Sequence, residues 1–332
     1  MRSIRHKIDS RSFTAVYHCV TRTVDGLRID ETAKEVLRKQ LWQIADYCGV
    51  HILTYAIMSN HFHVLVRVPL KTEVPDAELL RRFQVLYPKP TQFQTARIES
   101  IAELLKAGGP DADTWRKQQL ALMNDVSQYM KLLKQRFSIW FNRNHDRHGT
   151  LWSERFKSVL VEGRDNVLST MAAYIDLNPV RAGMVEDPKD YRFCGYAEAV
   201  SGNKNARAGI IAIVTGGNDE TWRVAHDAYR TRLFVAGAAK RAGKATITPE
   251  ALEKVMEQKG TVPLAEVLRC RVWSFSNGVV LGSKIFVTEQ LAAHQRKAGR
   301  RKRAASPLRA LPPVTAWGDM VVMRGSRKNV FG

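Results

Sequence analysis

The stretch from Phe13 to Val68 leaves the chain little choice of local architecture. Phe13 to Thr23 reads as a strand, with Tyr17, Cys19 and Thr21 on one face and Val16, His18 and Val20 on the other. Asp30 stands where a helix N-cap belongs. Leu37, Leu41, Ile44, Ala45 and Cys48 then recur at helical spacing, and Gly49 occupies the C-cap position. His51 to Met58 and Phe62 to Val68 are two more strands, and Ser59-Asn60 is the tight turn that makes them a hairpin. The order is strand, helix, strand, strand.

Beyond Val68 the pattern weakens. Pro69, Pro75, Pro88, Pro90, Gly108-Gly109 and Pro110 punctuate residues 69 to about 122, so this reads as an insertion with short helices such as Ser100 to Ala107. A strong helix follows: Met123, Val126, Met130, Leu133, Phe137 and Trp140 form one apolar face, with Lys131, Lys134 and Arg136 off it. Leu151 to Glu162 suits a fourth strand. Asp165 or Asn166 caps a helix running to Asn178, where Pro179 is expected to stop it. Residues 1–200 therefore form one domain. Residues 201–245 read as a linker with a helix near Trp222 to Leu233, and 246–332 as a C-terminal accessory region. In that region Thr248-Pro249 starts a helix that Gly260 ends, and Pro263 starts the next. Asn277-Gly278 within Val272 to Leu281 signals a hairpin, and Arg296 to Arg303 is a basic block.

Composition narrows the function classes. The 332 residues are 45% hydrophobic and 25% charged, as expected for a soluble globular protein of two domains, or of one with an appendage. No apolar run approaches the roughly 20 residues that span a bilayer, and MRSIRHKIDS lacks the apolar stretch of a secretory signal, so a cytoplasmic protein is expected. Cys19, Cys48, Cys194 and Cys270 form no CxxC pair, which argues against a zinc ribbon or a disulfide framework. Lys and Arg number 52 against 32 Asp and Glu, a net charge of +20. That excess attracts polyanions, and without a basic amphipathic anchor nucleic acid is the expected partner rather than membrane.

Two pairs of residues could carry chemistry. His61 and His63 share one face of their strand, while Phe62, Val64 and Val66 share the other. Two imidazoles so placed can ligate a divalent metal together, although surface or satisfied core histidines have the same spacing. Tyr174 and Asn178 lie one turn apart on one helix face, a spacing that also suits a core tyrosine and a helix-end asparagine. His145 and His148 in a charged loop lack a Cys or carboxylate cluster to complete a second metal site, so a plain loop is expected there.

The strings YHCVTRT, YAIMSNHFHVLVRV, LWSERFKSVLVE and YIDLNPVRAGMV occur in this order. Together they resemble the Y1 transposases of the IS200-like family, within the HUH endonuclease superfamily, and in particular the REP-associated tyrosine transposases. The resemblance covers roughly residues 10 to 197, interrupted by the insertion, and weaker similarity extends into LRCRVWSFSNGVVLGSKIF. It departs at YHCVTRT, which has threonine where related sequences often carry glycine in the turn after the first strand. The fold implied is α+β: an antiparallel sheet flanked by helices around a ferredoxin-like or RRM-like core, with a helical insertion and a C-terminal accessory region. The strand-helix-strand-strand order is consistent with it.

The resemblance also implies roles. His61 and His63 correspond to the histidine-hydrophobic-histidine metal pair, Asn178 to a third ligand through its amide oxygen, and Tyr174 to the single nucleophile. A divalent ion, Mg²⁺ or Mn²⁺, would serve phosphodiester cleavage in single-stranded or hairpin DNA, leaving a 5′-phosphotyrosine and a free 3′-OH that allows rejoining. Arg22, Lys131, Lys134, Arg155, Lys157 and Arg181 flank the motifs and are the candidate phosphate contacts. A monomer and a homodimer both occur among such proteins. Two other readings stay open: a non-catalytic DNA-binding regulator on the same scaffold, and a metal-dependent phosphodiesterase that uses water.

Overall fold

The computed structural model describes residues 7–216, 221–237, 273–297, 308–310 and 320–324. It begins in the expected order: β1 (Ala15–Arg22), α1 (Glu31–Cys48), β2 (His51–Ile57) and β3 (His61–Val68). Asp30 accepts the amide of Ala33 and Gly49 adopts a φ of 62°, so α1 is closed at both ends by residues suited to those positions. The turn after β1 takes its left-handed residues at Asp25 and Gly26, with φ of 49° and 68°. Thr23 has a task of its own there, donating its hydroxyl to Leu27 O at 2.6 Å.

β3 pairs antiparallel with β2 on one side and β1 on the other, and β1 pairs antiparallel with β4 (Lys157–Val161). The sheet continues through β5 (Gly278–Ser283), β6 (Leu308–Ala310) and β7 (Met320–Arg324) in the order β2-β3-β1-β4-β5-β7-β6. The fold is thus α+β, with a sheet that is antiparallel at each junction except β4–β5, which is parallel. Glu162 seals that junction: its amide donates to Leu281 O at 3.0 Å and its carboxylate accepts the Ser283 amide at 2.7 Å.

Helices cover both faces of the sheet. On one side α5 (Val126–Asn144) buries Phe137, whose ring and that of Phe62 both contact Trp152. Asp125 caps α5 and Asn124 has a φ of 50°, so the helix begins three residues after Met123, where the apolar spacing starts. On the other side lies α6 (Asp165–Asp176), whose Tyr174 ring contacts His63. Arg164, rather than Asp165 or Asn166, is the residue before its first turn. Pro179 does not stop this helix. The helix ends at Asp176, and Pro179 sits in the first turn of α7 (Asn178–Arg181), where a missing N–H costs nothing.

Three regions differ from the sequence reading. The insertion holds α2 (Asp76–Val85), α3 (Gln92–Ala107) and α4 (Pro110–Leu120), with α3 beginning eight residues before Ser100 at a Thr91–Gln94 capping box. Its prolines lie between helices or at their starts, so they bound helices rather than break them. Tyr47 OH donates to Gln119 Oε1 at 2.8 Å, tying the insertion to α1.

The described part of 201–245, expected as a linker, is packed. After α8 (Gly195–Val200), α9 (Lys204–Thr215) buries Ala206, Gly209, Ile210 and Ile213, and α10 (Trp222–Gly237) carries the buried Tyr229 and Leu233. A Cβ on Gly209 would lie 2.9 Å from Ile52 O, so a residue without a Cβ is needed where α9 lies against β2 here. Asn277-Gly278 is not a hairpin turn: α11 (Trp273–Asn277) runs directly into β5, whose antiparallel partner is the distant β7. α12 (Lys284–Lys297) takes in the first two residues of the basic block. The rest of that block, the helices expected between Pro249 and Arg269, and Cys270 lie outside the described residues. Cys19, Cys48 and Cys194 are buried free thiols. Among the described residues no helix is long and apolar enough to cross a membrane.

Candidate active site

Strand register decides what the site contains. Across the sheet, Ala56, His63, Val20 and Lys157 form one row of directly opposed residues, and His61 stands opposite Arg22 in the next. Opposed residues share a face, so His61, His63, Arg22 and Lys157 all lie on the side covered by α6. His18, two residues before Val20, is on that face too.

The side chains then meet. The rings of His61 and His63 are 5.1 Å apart between centroids, and the Tyr174 ring is 6.0 Å from that of His63. His18 stacks on His63 at 5.1 Å and meets Tyr174 edge-on at 6.1 Å. Tyr174 is 5% exposed and its hydroxyl lies 3.1 Å from Ser276 Oγ, while its ring packs on Phe275 at 5.1 Å. Both contacts come from α11. Arg181 stacks its guanidinium 4.9 Å above the Tyr174 ring and donates from Nη1 to Tyr174 O at 3.0 Å.

Asn178 follows one turn after the tyrosine. Its Nδ2 donates to Tyr174 O at 2.9 Å and Ile175 O at 3.1 Å, so the amide oxygen is the atom left for another partner. His61 Nδ1 lies 2.8 Å from Asn60 Oδ1, an acceptor, which makes Nε2 the lone-pair nitrogen of that ring. Burial pushes the His18 imidazole down to about 4, against the opposing pull of the Phe275 carbonyl. Burial, the neighbouring His18 and His61, and the cations Arg181 and Arg22 hold His63 well below the ordinary imidazole range. Both rings are therefore neutral at pH 7, the state a metal needs.

His61 and His63 offer imidazole nitrogens from one face, 5.1 Å apart between ring centroids, and donors of that kind together with an amide oxygen such as that of Asn178 suit a divalent ion that accepts mixed nitrogen and oxygen ligands. Among the described residues no group of three or more His, Cys, Asp or Glu side chains is placed to hold a metal ion. His145 is engaged elsewhere: its Nε2 meets Asp30 Oδ2 at 2.7 Å and its Nδ1 meets Phe141 O at 2.9 Å.

The candidate phosphate contacts divide by position. Arg22 and Lys157 are exposed on the histidine face at one end of the sheet, and Arg181 covers the tyrosine. Exposed Arg155 lies beside Lys157, which pairs with Glu154 at 3.1 Å. Lys134 reaches Glu154 O at 2.7 Å and sits over the Trp152 ring, and Lys131 is exposed one turn earlier on α5. Sequence reasoning missed His18, Phe275 and Ser276 as members of the site. His18 was placed on the correct face, but nothing in the sequence pairs its strand with β3.

Residues 11–78 match the family model described as "Transposase IS200 like". That segment carries His61 and His63 and ends before Tyr174. Among solved structures the chain is similar to a REP-associated tyrosine transposase bound to a REP hairpin, at 13% identity and a TM-score of 0.39, over 61% of this chain and 87% of that one. No curated protein matches the chain.

Proposed function

We propose that the chain is a DNA transposase of the IS200-like, REP-associated tyrosine type, a metal-dependent enzyme that nicks and rejoins single-stranded or hairpin DNA through a 5′-phosphotyrosine. The observation that carries this reading is the 6.0 Å separation between the Tyr174 and His63 rings, with His61 beside His63. The family match over residues 11–78 supports it independently.

His61, His63 and the amide oxygen of Asn178 would hold Mg²⁺ or Mn²⁺, which when bound neutralises charge on the scissile phosphate. Tyr174 Oη attacks phosphorus, the bond from phosphorus to the 3′ oxygen breaks, and that oxygen leaves as a 3′-OH on taking up a proton. The phenolic proton departs from a hydroxyl already hydrogen-bonded to Ser276 Oγ at 3.1 Å. The phosphotyrosine retains the phosphodiester energy, so an incoming 3′-OH reverses the step and joins strands. Arg22, Arg155, Lys157 and Arg181 flank the tyrosine and the sheet end and would track a DNA backbone, whereas Lys131 and Lys134 belong to α5 on the other face of the sheet. A DNA substrate of this kind places the enzyme at the nucleoid, in the cytoplasm.

The test is an adduct assay with short hairpins drawn from sequence near the gene, with Mn²⁺ or Mg²⁺. We expect a covalent protein–DNA species that disappears with chelator and in Tyr174→Phe. Cleavage without adduct and indifferent to Tyr174→Phe identifies a phosphodiesterase using water. Hairpin binding with no cleavage under either metal identifies a DNA-binding regulator.

A further inference from the structure

His18 is the one fully buried histidine of the site that the proposed chemistry leaves without a task. Both its ring nitrogens have partners: Nδ1 lies 2.7 Å from Phe275 O, and Nε2 lies 2.9 Å from His63 Nδ1. A carbonyl oxygen only accepts, so the proton on this side belongs to His18 Nδ1. The remaining question is which ring holds the proton between His18 and His63. If His18 held it, His18 would be an imidazolium at a fully buried position, its two nitrogens facing a carbonyl oxygen and a second imidazole rather than a carboxylate, which is the unfavourable arrangement. The proton therefore sits on His63 Nδ1, and His18 Nε2 accepts it.

That arrangement has a consequence for His63. With Nδ1 protonated, its lone pair is on Nε2, the same nitrogen that the Asn60 contact leaves as the lone-pair atom of His61. We infer that His18 is a positioning residue that fixes His63 in the tautomer able to ligate metal through Nε2, with the Phe275 carbonyl of α11 as the anchor of the relay. The relay spans 257 positions of sequence, so the C-terminal segment is part of the active site. Hydrogen-bonded partners of this kind set ring orientation and ligand basicity in metal sites generally. The inference rests on the metal reading proposed above.

Two measurements on the full-length chain test it. The first is long-range ¹H–¹⁵N correlation NMR of the metal-free protein, with the histidines assigned by substitution. It should find His63 and His18 both protonated at Nδ1. The second is Mn²⁺ titration followed by electron paramagnetic resonance. His18→Phe keeps the ring and loses the acceptor, and should bind Mn²⁺ about 10–100-fold more weakly. His18→Gln keeps a donor and an acceptor and should restore most of the affinity, and it decides the question if His18→Phe does not fold. His63 protonated at Nε2 in the wild type, or wild-type affinity in His18→Phe, overturns the inference. A wild-type chain that binds no Mn²⁺ overturns the metal reading, and the NMR result distinguishes that failure from a failure of the relay.

Discussion

The hydroxyl of Tyr174 and Oγ of Ser276 lie 3.1 Å apart, joining α6 to α11 across 102 positions of sequence. The candidate nucleophile is therefore held by a segment beyond residues 10 to 197, in the stretch of weaker similarity. Ser276→Ala removes the partner that sets the direction of the phenolic O–H, while the ring stays packed on Phe275 and under Arg181. A hydrogen bond of this kind contributes about 1 kcal/mol, so adduct formation should slow about five- to tenfold. The melting temperature should shift little, because Ser276 is only partly buried. Single-turnover adduct kinetics measure the first quantity, and an unchanged rate contradicts a positioning role for Ser276.

Arg181 acts on the same ring from the α7 side. Arg181→Met keeps the apolar stem but loses the cation over Tyr174 and the bond to Tyr174 O. We expect a loss of about 1–2 kcal/mol of stability in urea unfolding, together with at least a tenfold fall in adduct rate. Arg181→Lys should recover little, since an ammonium cannot stack as a plane.

Gly209 tests whether α9 belongs to the same core as the site. A Cβ there meets the backbone oxygens of Ile52 and Leu53 on β2, which cannot swing aside. Gly209→Ala should destabilise by about 1–3 kcal/mol, as overpacking does. If residues 204–215 were a loosely attached linker, the same change would stabilise the helix slightly.

Asp30 gives a pH-dependent prediction. The His145 hydrogen bond, then the Ala33 amide, hold its carboxyl below the ordinary value of 3.8. A depressed carboxylate contributes stability above that value, and the contribution is lost as pH falls through the depressed one. Asp30→Ala should therefore cost about 1 kcal/mol at pH 7, typical of a lost N-cap. The gap to wild type should begin to narrow below a pH of about 4 and close as pH falls past the depressed value. Unfolding free energies at several pH values check this, and a gap constant with pH contradicts it.

How much of this was legible beforehand depends on the range of the interactions. The β1–α1–β2–β3 unit was readable because Asp30, Gly49 and Ser59-Asn60 mark its ends locally. The face shared by His61 and His63 follows from strand alternation alone. The three insertion helices were obscured because prolines at 75, 88, 90 and 110 look like breakers until their places between helices are known. Residues 204–215 read as part of a linker because Ala206, Ala208, Gly209 and Ala212 suggest flexibility, whereas Gly209 is small so that α9 can lie against β2. His18, Phe275 and Ser276 were beyond reach for a different reason. Their roles exist only once β1 pairs with β3 and β5 lies beside β4, and no local pattern states which strands are neighbours.

The central claim is that Tyr174 is the atom-bearing partner of the DNA phosphate. Its most direct test is mass spectrometry of the trapped adduct after nuclease and protease digestion. The account predicts a nucleotide remnant linked through its 5′-phosphate to Tyr174. A remnant on Tyr191, Tyr196 or any other residue, or cleaved DNA with no modified peptide, contradicts it.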